Sequence, residues 1–313
     1  PHAADGERHF KKSQPVLREG NEVKYQFIKG HQDRWPVVLL CRLLGVQRSS
    51  YYDWQDKPGR IVPPEELLLR RRMKALFKTS RSSLGSRMMM NKLRLEGFEI
   101  GRERTRRLMK ALDLKVKQKR RYKATTDSKH EYPVAENLLN RDFSPRAANQ
   151  SWGVDITYLW TQEGWIYLAV VIDLYSRRVV GWSMDRHMQQ SLVIRALIMA
   201  INLRKPPAGL IHHSDRGSQY CANAYQALLK QYGMICSMSR KGNCWDNAPV
   251  ERFFSSLKRE WTGDQLYRNR QEAIADLREY VAVYYNSMRL HSTLGYTTPI
   301  DFEKTLNKVS GNA

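Results

Sequence analysis

The sequence predicts an α/β domain built on a mixed five-stranded sheet, preceded by an all-α, strongly basic region. Three observations carry that reading. Near residue 150 the apolar pattern changes from helix-spaced positions to strand-length runs. Downstream of that point three strands, a helix, and then alternating strand and helix follow one another, which is an α/β layer plan. Charge is also unevenly spread. The 313 residues carry 53 Lys and Arg against 31 Asp and Glu, a net charge of +22. Residues 60–123 alone carry 21 basic against 6 acidic residues, a net +15.

Composition narrows the class before any motif is read. With 42% hydrophobic residues the chain can build a core and is not a disordered tail. Its basic surplus points to a polyanionic partner, nucleic acid first, because each neutralised phosphate releases counterions. A ribosomal or membrane-surface protein shares that charge, so composition does not choose among them. No apolar run approaches the roughly 18 residues of a membrane span, and no signal-peptide pattern is present. Cys41, Cys221, Cys236 and Cys244 form no C-x-x-C pair. That argues against a zinc finger or disulfide framework and for reduced thiols in a cytosol. The chain opens on Pro1, so trimming or a longer parent product is open.

Residues 1–33 are polar and aperiodic and are expected to form a flexible arm. Residues 34–58 hold Val37–Leu44, then Gly45, then Val46–Trp54, the outline of a helix-turn-helix. It either contacts DNA, through Arg48 among others, or is an ordinary helical hairpin. Over 60–123 a basic three-helix domain is predicted. Pro63 and Pro64 open its first helix, with Leu67, Leu68, Met73, Leu76 and Phe77 available for one face. A second spans Met88 to Leu95 and stops at Gly97. In the third, Thr105, Leu108, Met109 and Leu112 make one buried stripe with Arg106, Arg107 and Lys110 opposite. Together with Arg102 and Arg104 these are candidate DNA contacts, a solvated charged face being the alternative. Lys115–Lys123 reads as a basic stretch tracking phosphates, and 124–147 as a linker.

The catalytic-core candidate is 148–262. Its expected strands are Val154–Trp160, Trp165–Leu174, Arg178–Met184, Gly209–His213 and Met234–Met238. Helices are expected over Ser191–Leu203, Ser218–Tyr232 and from Pro249 to about Trp261, with a helical extension over 263–313. Acids are scarce, so those in apolar settings need a reason. Asp155 lies between Val154 and Ile156 on the first strand, where a lone carboxylate is costly unless paired or metal-bound. Asp215 follows the fourth strand, where α/β sheets place ligands, and Glu251 falls in the first turn after Pro249. Carboxylates so placed could hold two Mg²⁺ ions about 3.5–4 Å apart around one phosphorus. Asp173, Asp185 and Asp246 are rival acids, the first a candidate support residue and the others turn residues.

The combination is the specific signal. Thirty-five residues separate Asp215 from Glu251, and Asp155 stands upstream on a strand. Around them are Trp152-Gly-Val-Asp155-Ile-Thr157, His212-His-Ser-Asp215-Arg-Gly217-Ser-Gln-Tyr220 and Gly242-Asn-Cys-Trp-Asp-Asn247-Ala-Pro-Val-Glu251. Tyr285-Asn-Ser-Met-Arg289-Leu-His291 and Leu294-Gly-Tyr-Thr-Thr-Pro299 follow. Over roughly residues 35–305 the chain resembles the DDE transposases of the third bacterial insertion-sequence family, whose catalytic frame is made by frameshifting. The resemblance implies a ribonuclease-H-like core of the retroviral-integrase type, with Asp155, Asp215 and Glu251 as catalytic metal ligands. Mg²⁺ is the implied cofactor, Mn²⁺ its substitute, with two ions per site. Lys258, two helical turns beyond Glu251, matches a basic DNA contact, and His213, Arg216 and Asn247 match flanking positions.

The implied activity is strand cleavage at the ends of an insertion element followed by strand transfer from a 3′-OH. Expected partners are double-stranded DNA (terminal inverted repeats and target), a second copy of the chain, and the upstream frame; no membrane is expected. The expected location is the bacterial cytoplasm, at the nucleoid. Two alternatives stay open: a ribonuclease-H-type nuclease that cuts without joining, and a DNA-binding repressor with an inactive core. A tyrosine-recombinase reading of Arg289, His291 and Tyr284 or Tyr285 is disfavoured, since they crowd into eight residues.

Overall fold

The structure, a computed structural model, describes residues 20–56, 63–116, 133–241, 243–263 and 265–310. The chain divides into two compact units, Pro1–Leu68 and Leu69–Ala313. In the first unit, α1 (Asn21–His31) precedes α2 (Val37–Leu44) and α3 (Arg48–Gln55). Gly45 ends α2 in the left-handed region at φ 64°, which a side chain would oppose. Tyr25 and Ile28 of α1 bury against Leu40, Cys41, Leu44 and Tyr51. The expected loose arm is therefore helical over 21–31. Two anchors on one face suffice to hold it, too few to register as a stripe. Residues 1–19 lie outside the described residues.

The second unit begins within α4 (Pro64–Thr79) and continues through α5 (Ser86–Leu95) and α6 (Arg102–Ala111). Leu69, Met73, Leu76 and Phe77 bury with Met89, Leu93, Leu108 and Met109. The α4 stripe starts at Leu69, not at the expected Leu67 and Leu68, which are 55% and 58% exposed. One position is 100° of helix, enough to move a leucine off the core. On α6, Thr105, Leu108 and Met109 are buried, while Arg102, Arg104, Arg106, Arg107 and Lys110 are exposed. Of the expected basic stretch, residues 117–123 lie outside the described residues.

The sheet runs β3-β2-β1-β4-β5. β1 (Ser151–Thr161), β2 (Gly164–Asp173) and β3 (Val179–Asp185) are antiparallel. β4 (Ile211–Ser214) runs parallel to β1, and β5 (Ile235–Met238) parallel to β4. This is the ribonuclease-H-like order. One face packs on α7 (Gln190–Arg204), α8 (Ser218–Cys221) and α9 (Asn223–Gln231). The expected single helix over 218–232 is broken because Ala222 is extended, with ψ 137°. The opposite face packs on α10 (Ala248–Glu260) and α11 (Arg270–Glu279).

After α11 the helix widens into a π-turn, Tyr280–Tyr285, and α12 (Pro299–Ser310) closes the described chain. Widening turns Tyr280, Val281, Tyr284 and Tyr285 inward together, against Phe253 and Trp261. Glu303 of α12 accepts from Arg178, Arg204 and Ser176 at 2.7–2.8 Å, and Arg204 also reaches Asp173. Of the predicted linker, residues 124–132 lie outside the described residues, and from residue 133 onward it is tied to the sheet. Its Leu138 and Leu139 amides donate to the Ser237 hydroxyl, and Met238 N–H donates to the Glu136 carbonyl. The helical region is fastened to the core as well. Arg81 stacks on Trp261 at 3.9 Å and forks onto Asp276, and the Lys92 ammonium donates to the Met288 carbonyl.

Candidate active site

Strand register sets two of the three acids side by side. Gly153 of β1 stands opposite His213 of β4, the last pair of that parallel ladder. Asp155 and Asp215 each lie two residues further on, so both point from the same face of neighbouring strands. That face is the one α10 covers. Asp215 is held in place by its own turn, its Oδ1 accepting from Gly217 N–H at 2.9 Å. Asp155 Oδ1 accepts from Ile156 N–H at 2.7 Å.

The third acid arrives on α10. Asn247, just before the helix, donates from Nδ2 to the Val154 carbonyl at 3.1 Å, pinning the helix start beside Asp155. Gly153 permits that approach, since a Cβ there would meet Val250 Cγ2 at 2.8 Å. Preceding Asn247, a 3₁₀ turn (Cys244–Asn247) is clamped through Asp246. Its buried carboxylate accepts from Arg240, Arg141 and Asn137. Arg240 first, then Arg141, hold that carboxyl well below the usual carboxylate range. Glu251 then stands exposed on the first turn, and half-buried Lys258 lies two turns on.

The electrostatics join these four groups. Burial first, and then the Asp215 charge, push the Asp155 carboxyl well above its ordinary value. Glu251 adds to that push, while Lys258 and the Ile156 amide oppose it. Burial pulls the Lys258 amine down, against the pull of Asp155 upward. A buried carboxyl raised by two neighbouring carboxylates is the donor chemistry of a hard cation, which takes oxygen ligands. Behind them the Tyr220 hydroxyl is buried with no hydrogen-bond partner. Among the described residues no three His, Cys, Asp or Glu side chains are gathered around one point. Asp155 and Asp215 form a pair, and the exposed Glu251 side chain has the freedom to turn toward it.

Other expected residues fall elsewhere. His213 is buried between Ser237 Oγ at 2.9 Å and Ser239 Oγ at 3.2 Å, so it braces β4 on β5. Arg216 donates to the Ser239 carbonyl at 2.7 Å, a brace at the same edge. The basic side chains of α6 form a separate exposed face, and Arg48 belongs to the first unit. Asp173 is held by Arg204 and the Asn149 and Tyr175 amides. Asp185 pairs with Arg195. Asp246, expected as a turn residue, is the buried clamp described above. Tyr158 was not singled out by sequence, yet the Lys258 ammonium lies 5.2 Å over its ring. Its only sequence signal is its place three residues after Asp155.

Burial pushes three histidines down: His212 and His291 to about 3 and His213 to about 4. Each folded value lies below the unfolded 6.5, so the unfolded chain takes up protons that the fold refuses. Their contribution is full above pH 6.5 and is lost as pH falls toward 4. The unfolding free energy from denaturant titrations should drop over that window, by about 1.4 kcal/mol per pH unit for each histidine. Replacing His213 by Gln should flatten the decline; an unchanged slope would refute the assignment.

Residues 145–244 and 232–299 match integrase core domain families, and residues 64–122 match an HTH-like domain. The chain is 45% identical over 272 residues to the insertion element IS600 uncharacterized 31 kDa protein of Shigella sonnei, covering 87% of this chain and 100% of that one. It is 40% identical over 283 residues to transposase InsF for insertion sequence IS3A of Escherichia coli (strain K12), covering 90% and 98%. The HTLV-2 integrase catalytic core domain, solved in complex with magnesium, is 20% identical with a TM-score of 0.39. That likeness covers 50% of this chain and 98% of the other.

Proposed function

The chain belongs to the family of insertion-sequence transposases that includes InsF of IS3A, and from that premise we propose that it cuts DNA strands at the ends of an insertion sequence and joins the freed ends to new phosphates. The observation that carries the reading is the pairing of Asp155 with Asp215 at one strand end, with Glu251 and Lys258 brought onto the same face by the Asn247 contact to Val154.

Asp155, Asp215 and Glu251 are the groups that would hold the divalent cation on which an integrase-type core depends. Two Mg²⁺ ions, replaceable by Mn²⁺, are proposed. Bound there, the cation supplies neutralisation of phosphoryl charge and polarisation of the oxygens on phosphorus. The residues of the chain do the rest. Lys258 sets a positive charge beside the acids and holds a phosphate against them. The Asp246 clamp and Asn247 fix α10, so Glu251 is delivered at a constant height over β1. In the first reaction water attacks phosphorus at an element end and a 3′-OH leaves. In the second that hydroxyl attacks another phosphodiester and displaces its 3′ oxygen. Each step exchanges one P–O bond for another, so no Ser, Cys or Tyr nucleophile is required.

Exposed Arg102, Arg104, Arg106, Arg107 and Lys110 support α6 as a contact to the terminal inverted repeats, with Arg48 a further contact from the first unit. Two ends must be held together, so a dimer or larger assembly on DNA is part of the reading, as is a relation to the upstream frame. No described helix is long and apolar enough to cross a membrane. Action on chromosomal DNA in the bacterial cytoplasm is proposed.

The test incubates the full chain with labelled DNA bearing both element ends, in Mg²⁺, Mn²⁺ or EDTA, beside Glu251→Gln. Metal-dependent nicks at the ends, joined products, and loss of both in the variant are expected. Scattered nicks without joining would replace the reading with a nuclease; end binding with no chemistry in any metal would replace it with a repressor.

A further inference from the structure

We propose that Tyr158, Trp160 and Trp165, on one face of the β1–β2 hairpin, form a stacking platform for unpaired bases of the DNA strand entering the active site. The proposal rests on the transposase reading and adds to it a binding surface and the form of DNA it takes.

Three observations converge on this face. Indoles are large apolar groups, yet Trp160 and Trp165 are 58% and 42% exposed. They stand opposite one another across the strands, as do Tyr158 and Tyr167. Trp165 meets Tyr158 and Trp160 edge-to-face, with ring centroids 5.0 and 4.8 Å apart. An edge-to-face contact occupies one broad ring surface and leaves others available.

The face is also rigidly mounted. Thr161 Oγ1 donates to the Gly164 carbonyl at 2.7 Å, closing the hairpin turn. Arg270, at the start of α11, donates from Nε to the Trp165 carbonyl and from its backbone to Glu163, each at 3.0 Å. Gln162 N–H donates to the Tyr267 carbonyl. Rings held in advance lose little freedom on binding, which favours their use as a surface.

Finally, the platform meets the acids through Lys258, since Tyr158, three residues beyond Asp155 on β1, points from the opposite face of the strand. The Lys258 ammonium lies over Tyr158 and also bears on Asp155. A strand whose phosphate sits at Lys258 therefore has its neighbouring bases beside Tyr158, then Trp165 and Trp160. Every base offers a flat π-face, so such stacking is tolerant of sequence. In a duplex those faces are already stacked, and only frayed or single-stranded bases can use the platform. A second copy of the chain fits less well. The two indoles expose on the order of 250 Å², well short of the about 800 Å² per partner of a stable protein interface.

The test uses the full chain in EDTA, where no strand is cut, and a short single strand carrying 2-aminopurine beside a blunt duplex of the same sequence. Wild type is expected to quench the probe. A Trp160→Ala/Trp165→Ala double variant should lose quenching and bind the single strand roughly tenfold more weakly. Duplex affinity should not change, and Trp160→Tyr should restore most of the loss. Thermal melts confirm that each variant is folded. Equal losses for single strand and duplex, or none for either, would overturn the proposal. So would weakened self-association in sedimentation with single-strand affinity intact, which would make this a protein–protein face. Because binding is read without chemistry, a chain that fails to cut DNA still reports on the platform.

Discussion

Replacing Asp155 by Asn should remove strand cleavage and joining by at least about 10³-fold while making the protein harder to unfold. The activity loss follows from taking one acid out of the proposed triad. The gain in stability follows from electrostatics: the folded carboxyl is raised by burial and by Asp215 and Glu251. A group whose folded pKa lies above its unfolded value contributes stability below the unfolded pKa, and that contribution is lost as pH rises through the folded one. At pH 8 the ionised Asp155 is therefore a cost that Asn does not carry. We expect a rise in Tm of about 2–4 °C at pH 8 in EDTA, roughly 1 kcal/mol for a chain of this size. The difference should vanish below about pH 4, and added Mg²⁺ should raise the melting temperature of wild type but not of the variant. A variant that melts below wild type at pH 8, or that still cuts DNA, would refute the site.

The second large effect concerns stability alone. Arg289 forks onto Glu260 at 2.7 and 2.8 Å and also donates to Ser256, with both charged partners largely out of water. Glu260→Ala leaves a buried guanidinium without its counter-charge, which costs about 3–5 kcal/mol. Urea unfolding should show that loss, and a melt a fall of about 10 °C. Glu260→Leu combined with Arg289→Met should recover most of it, because both desolvation costs then disappear. If the double variant were as unstable as the single, packing around the π-turn and not the ion pair would be the source. The pairing also shows why Arg289 and His291 are not a recombinase site: the guanidinium is already spent on the last turn of α10.

Local pattern made the layers readable. Apolar runs of strand length put Asp155 on a strand and Asp215 just past a strand end, and Pro249 puts Glu251 in the first turn of a helix, before any coordinates are seen. What was not readable depends on distant partners. Asp246 resembles a turn residue in its own neighbourhood, where Arg240 lies six residues away, and becomes a buried clamp once Arg141 and Asn137, more than 100 residues upstream, also meet it. Tyr158 is one aromatic in a strand until Lys258 crosses over it. Helix α1 rests on Tyr25 and Ile28, whose value comes entirely from the α2–α3 hairpin. The α4 stripe begins two positions beyond the expected Leu67, because three consecutive leucines offer no phase of their own. The metal and DNA roles of the side chains so placed remain the proposal that the variants above test.

One contact has a consequence for the DNA itself. Arg81, just beyond α4, is stacked on Trp261 at the end of α10 and forked onto Asp276. The basic helices and the helix that bears Glu251 are thereby fixed to one another by side chains. On the proposed function, the number of base pairs between the sequence gripped by α6 and the phosphate that is cut is a rigid length, measured off by the protein like a gauge block. Lengthening the intervening chain should leave the cut where it is, whereas breaking the Arg81 fork should blur it over neighbouring phosphates.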